Sequence, residues 1–139
     1  MFKWIIKYLG FLKAVPLVAK VFDSQLKVWT LITHPTLLDY IDEIESKVLC
    51  WQGLSTGIHK YGGLQFNCRG RELGHIHSNG LMDILLSKKA KQQLMAEGRI
   101  SDHHTFAISG WISFYIRTKD DAAYAVTLLA VAYQKINSR

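Results

Sequence analysis

Two hydrophobic periods divide the chain. In "THPTLLDYIDEIESKVL" the apolar positions Leu37, Leu38, Ile41, Ile44, Val48 and Leu49 recur at steps of three and four. Asp39, Asp42, Glu43, Glu45 and Lys47 fill the opposite side. That is the signature of an amphipathic helix, and Pro35 suits its first position. The pattern predicts a helix over 36–50. From Trp51 the period changes to two. Leu54, Thr56 and Ile58 alternate with Ser55, Gly57 and His59. A turn at Gly62 and Gly63 precedes Leu64, Phe66 and Cys68, and "RGRE" reads as a second turn. The strand of "ELGHIH" follows, then the hairpin signal "SNG", then "LMDILLS", apolar on both faces except at Asp83. Ser87 caps a helix over 88–97 that Gly98 ends. "ISDHHTFAIS" and "GWISFYIRT" read as two further strands. Thr118 and Asp121 form a T-x-x-D cap on a last helix over 119–136, striped by Ala122, Val126, Leu129, Tyr133 and Ile136.

Helices and strands are segregated, not alternated, so the expected class is α+β. We expect a single antiparallel sheet of about five or six strands packed with helices, plus an N-terminal amphipathic helix. That helix is carried by "MFKWIIKYLGFLKAVPLVAKVFD". Lys3, Lys7, Gly10 and Lys13 gather on one side of a helical wheel, and Phe2, Trp4, Ile5, Tyr8, Leu9, Leu12 and Val15 cover much of the rest. Lys7, Lys13 and Lys20 interrupt the apolar run, and a central lysine costs roughly 2.5–3.5 kcal/mol on insertion. A membrane span is therefore disfavoured, and no signal-peptide cleavage site follows. Such a helix suits the surface of an anionic membrane, or packing on its own domain or a partner chain. The expected division is 1–23 as this helix, lying apart from the core, and 24–139 as an α+β domain. The location it implies is cytoplasmic and peripheral at the membrane.

The chain has 139 residues, enough for one domain with a real core, and a formal net charge of +6. A basic balance favours acidic partners. The lysine clusters lack interleaved aromatics and base-reading motifs, so no nucleic-acid partner is expected. Cys50 and Cys68 show no metal-type spacing, and we expect both as reduced, buried thiols. No Walker, Rossmann or G-x-S-x-G sequence occurs.

The candidate chemistry centres on His75 and His77. One residue apart on a strand, they share a face, with Cα atoms ~6.5 Å apart. Two such imidazoles suit a metal, a ligand cavity, or plain burial within the fold. A metal needs further ligands, and a regular strand turns Glu72 to the opposite face. We therefore expect a metal-free cavity that takes a small-molecule ligand or substrate. His75, His77 and His104 are the expected acid–base groups, since imidazole changes charge near neutral pH. His103, Trp111, Asp83 and Arg117 are the expected binding groups, with Arg117 gripping an acidic ligand. Asp83, set among apolar residues, needs a buried partner, either a histidine or Arg69.

"GGLQF", "ELGHIH", "NGLMDILLS", "LMAEGRISDHH" and "SGWISFYIRTKDDAAYAVTLLAVAY" occur in this order. Together they resemble the luciferase-domain family, named after the luciferase of bioluminescent fungi, and are similar chiefly to its short bacterial members. The fungal enzyme oxidises 3-hydroxyhispidin, a pyrone, with molecular oxygen and no added cofactor, and associates with membranes through an N-terminal hydrophobic segment. The resemblance implies an oxygenase-like enzyme acting without a cofactor on a small, conjugated, acidic organic molecule. The alternatives are a non-catalytic ligand-binding or adaptor module at the membrane surface, and a metal-dependent hydrolase. Oligomeric state is left open by the sequence.

Overall fold

The computed structural model describes residues 16–138. Four helices and six strands follow in the order α1 (Pro16–Thr33), α2 (Pro35–Val48), β1 (Leu54–Ile58), β2 (Leu64–Cys68), β3 (Arg71–Ile76), β4 (Leu81–Leu85), α3 (Lys88–Met95), β5 (Ser101–Asp102), β6 (Trp111–Tyr115) and α4 (Lys119–Asn137). The strands form one antiparallel sheet in the order β1-β2-β3-β4-β6-β5. This is the α+β architecture expected from the two periods.

One face of the sheet makes the core. Phe66, Cys68, Ile76, Met82, Ile84, Ile112 and Phe114 point to it, and meet Leu37, Ile41, Ile44 and Val48 of α2. The α4 helix brings Ala122, Ala125, Leu128, Leu129 and Ala132, and its alanines let the backbone lie close. Each fully buried Ile or Leu contributes about 1.5–3 kcal/mol. Helix ends follow the capping rules. Ser87 Oγ accepts from the Ala90 N–H at 3.1 Å, and Thr118 with Asp121 closes a reciprocal capping box.

Three expectations are corrected here. The stretch "ISDHHTFAIS" is a strand only at Ser101–Asp102. His103 Nδ1 then accepts from the amides of Thr105 and Phe106, which curls the chain out of the sheet. Buried Lys91 satisfies the carbonyls that a neighbouring strand would have taken. Its Nζ donates to Ala107 O, Ser109 O and Trp111 O, and pairs with Asp102 at 2.6 Å. Next, Cys50 is exposed beyond the end of α2, whereas Cys68 is buried; both thiols are free.

The third correction concerns the N-terminal helix. Residues 1–15 of the expected segment lie outside the described residues. Over the rest, α1 runs without a break through the boundary expected at residue 23. It does not stand apart, because Ala19, Asp23 and Thr30 are buried. No helix among the described residues is long and apolar enough to cross a membrane.

Candidate functional site

The sheet face opposite the core carries polar side chains in register. His75 of β3 lies beside Asp83 of β4, and Asp83 beside Ser113 of β6. Side chains in such cross-strand positions stand ~5 Å apart, so the row is fixed by strand pairing. Ser113 Oγ donates to Asp83 Oδ1 at 2.5 Å. Asp83 Oδ2 faces three imidazoles, with His75 Nε2 at 3.5 Å, His103 Nε2 at 3.6 Å and His77 Nε2 at 4.0 Å. The partner of Asp83 is thus this histidine group and Ser113, not Arg69.

A β-bulge brings in Glu72. Phe66 pairs with Gly74 and Asn67 with Glu72, so Leu73 is the extra residue of β3. The bulge sends Leu73 into the core and reverses the alternation before it. Glu72 therefore shares the face of His75, and its Oε1 accepts from His75 Nδ1 at 2.7 Å. A regular strand would have placed it on the other side. His59, just beyond β1, stacks on His75 with centroids 3.7 Å apart and planes 8° from parallel.

The α1 helix closes the other side. Asp23 Oδ1 lies 3.7 Å from His77 Nδ1, and its carboxylate accepts from the Ser78 amide and hydroxyl. Gly62, at φ +93°, makes room for this docking, since a Cβ there would collide with the Asp23 side chain. The result is a cavity of about 600 Å³. Phe22, Leu26, Phe106 and Trp111 give it an apolar wall, and His59, Glu72, His75, His77, Asp83, His103 and His104 a polar one.

Burial opposes ionisation of Asp83, Glu72 and Asp23. Nearby imidazoles and hydrogen bonds outweigh it at each, His75 and Ser113 at Asp83, His75 at Glu72, and His77 and Ser78 at Asp23, so all three pKa values fall below the usual carboxylate range. Burial also opposes the charged form of His75, but the Asp83 and Glu72 carboxylates prevail and raise its pKa. His103 is lowered, chiefly by burial. His59 is lowered to about 4 by burial and by the neighbouring His75.

Of the residues expected from sequence, His75, His77, His103, His104, Asp83 and Trp111 line this one cavity. Arg117 does not. It lines a separate groove with Arg99, Tyr115 and Asp121, and its guanidinium lies 5.3 Å from the Tyr115 ring. Sequence reasoning missed His59, Asp23 and Glu72. The period of two did signal His59, which alternates with Leu54, Thr56 and Ile58 of β1. For Asp23 nothing local indicated contact with a turn 55 residues away.

No curated protein and no solved structure matches the chain. The family model described as Luciferase domain matches residues 70–132, a span that includes β3, β4 and β6 with His75, His77, Asp83, His103 and Trp111. The polar row on the sheet and the loop that faces it thus lie within the stretch that is similar to the luciferase-domain family.

Proposed function

We propose that the cavity binds a small, conjugated, acidic organic molecule and promotes its oxidation by dioxygen. The observation that carries this reading is the pairing of an aromatic wall with a histidine–carboxylate wall in one cavity of about 600 Å³. That volume suits a single small organic ligand. A flat conjugated ring packs against Trp111 and Phe106, while its acidic hydrogen faces imidazoles that carboxylates orient. Loss of that proton leaves a carbanion, which supplies both electrons of a new C–O bond to dioxygen; reprotonation gives a hydroperoxide. The test is oxygen uptake by the full chain with 3-hydroxyhispidin. Saturable uptake that falls at least ~10-fold in His77→Gln is the expected result. No uptake together with no saturable binding of this pyrone would sink the reading.

The non-catalytic membrane module keeps one supporting observation. Leu17, Val21, Val28, Trp29 and Ile32 are exposed on α1, flanked by exposed Lys20 and Lys27. An apolar stripe beside cations suits an anionic lipid surface. This reading concerns where the chain sits and is compatible with an active cavity.

A further inference from the structure

We propose that His75 Nε2, His77 Nε2 and Asp83 Oδ2 form a binding site for one first-row divalent metal ion. The three donors lie within 4.8 Å of one another. Their separations decide what they are suited for. The 3.5 and 4.0 Å gaps between Asp83 Oδ2 and the two nitrogens exceed ordinary N–H···O hydrogen bonds of about 2.7–3.2 Å. Donors that each sit ~2.1 Å from a shared ion at tetrahedral angles are about 3.4 Å apart.

Tautomers select the donors. Glu72 accepts from His75 Nδ1, which puts the proton of a neutral ring there and leaves Nε2 with a free lone pair. Asp23 Oδ1 stands 3.7 Å from His77 Nδ1, so its charge favours a proton on that side of the ring. A carboxylate behind each ligating histidine is the usual outer arrangement of a metal site. His103 is the reverse case. Its Nδ1 accepts from two backbone amides, so the proton sits on Nε2, which then donates and does not ligate. His59 follows His103, because its Nδ1 accepts from the Tyr61 amide. Two imidazoles and one carboxylate, with a fourth position open toward the cavity, match the three-ligand set of an open tetrahedral zinc site.

Charge supplies a second, independent argument. The acidic ligand of the preceding section, on which this step rests, enters a cavity walled by Asp23, Glu72 and Asp83. Arg117 lies in another groove, and Lys60 stands at the rim as the one lysine or arginine of the described lining. A cation held by Asp83 is what allows an anion to approach three carboxylates. The metal-free expectation rested on the lack of a carboxylate at metal spacing, and the strand pairing of Asp83 with His75 supplies one.

The test uses the full chain with Zn²⁺ and with Co²⁺ as probes. After gel filtration, one equivalent of Zn²⁺ is expected to be retained, and Co²⁺ is expected to give visible absorption bands. His77→Gln and Asp83→Asn should weaken retention at least ~10-fold, and Glu72→Gln about 10–100-fold through loss of ring orientation. His103→Gln should keep the full equivalent. Circular dichroism confirms folding, and half-buried His77 serves if Asp83→Asn unfolds. No retention by the folded wild type overturns the site. So does retention unchanged in His77→Gln, or a loss in His103→Gln equal to that in His77→Gln. Retention without oxygen uptake from 3-hydroxyhispidin sustains the ion and overturns the oxygenase reading. Oxygen uptake from 3-hydroxyhispidin by protein that retains no ion does the opposite.

Discussion

At the scale of single residues, the site is a set of imidazoles whose protonation is divided by their neighbours. His59 and His75 stack face to face, yet burial moves one down to about 4 while carboxylates move the other up. The two have opposite linkage to folding. Unfolded His59 titrates near 6.5, so below that pH the unfolded chain takes a proton that the native ring refuses. Its contribution is full above 6.5 and is lost as the pH falls toward 4. His75 contributes in the other sense, most fully at low pH, and loses that contribution as pH rises through its raised value. His59→Phe keeps a flat ring and removes the titration. In metal-stripped protein we expect the variant to lose less stability than the wild type between pH 7 and pH 5. Urea midpoints at the two pH values check this, and equal losses would refute the assignment.

At the scale of elements, what positions these residues is a bulge, a glycine turn and a lysine. Gly62 lets Asp23 of α1 reach Ser78, so Gly62→Ala meets both a left-handed φ and the Asp23 side chain. We expect it to destabilise the chain by about 1–3 kcal/mol, read by urea unfolding. Asp23→Ala in the same background should recover little of that loss, since the Cβ it keeps is the nearest colliding atom. Lys91 fastens the loop 103–110 through two of its carbonyls and a third at Trp111, where β6 begins. Lys91→Met should raise amide exchange across that loop while leaving β2 and β3 protected, because their ladders do not depend on it. Much of this frame was legible from spacing. The helices of 36–50 and 119–136 declare themselves by stripes, β1 and β2 by alternation, and β3 and β4 by the hairpin signal between them. The bulge was not legible, because "RELGHI" reads the same whether or not Leu73 is extra, and a one-residue slip reverses the face of Glu72. The loop 103–110 reads as a strand because Thr105, Phe106 and Ile108 are residue types that favour strands. The competing hydrogen bonds to His103 and Lys91 come from side chains whose reach sequence does not show. Asp83 was singled out as a buried acid, but its place beside His75 depends on hairpin register.

At the scale of the whole molecule, α1 has two faces with different partners. Its inner face brings Ala19, Phe22, Asp23 and Leu26 to the cavity. Its outer face leaves Leu17, Val28, Trp29 and Ile32 each more than half exposed. Deleting the helix to test membrane binding would also dismantle the Asp23–His77 wall, so the outer face must be altered alone. Val28→Glu with Ile32→Glu does that, since the two side chains are 59% and 72% exposed and neither lines the cavity. Each apolar side chain transferred into lipid contributes about 1.5–3 kcal/mol. Two added carboxylates also repel anionic headgroups and oppose the pull on Lys20 and Lys27. We expect wild-type protein to float with phosphatidylserine-containing vesicles and the double variant to remain at the bottom of the gradient. The variant should keep an unchanged thermal unfolding midpoint, because exposed positions outside contacts shift stability by roughly 0.5 kcal/mol or less. Loss of flotation with unchanged unfolding assigns the stripe to the lipid surface. Equal flotation of both proteins, or flotation of neither, removes the membrane from the account of this chain and leaves the outer face of α1 without that partner.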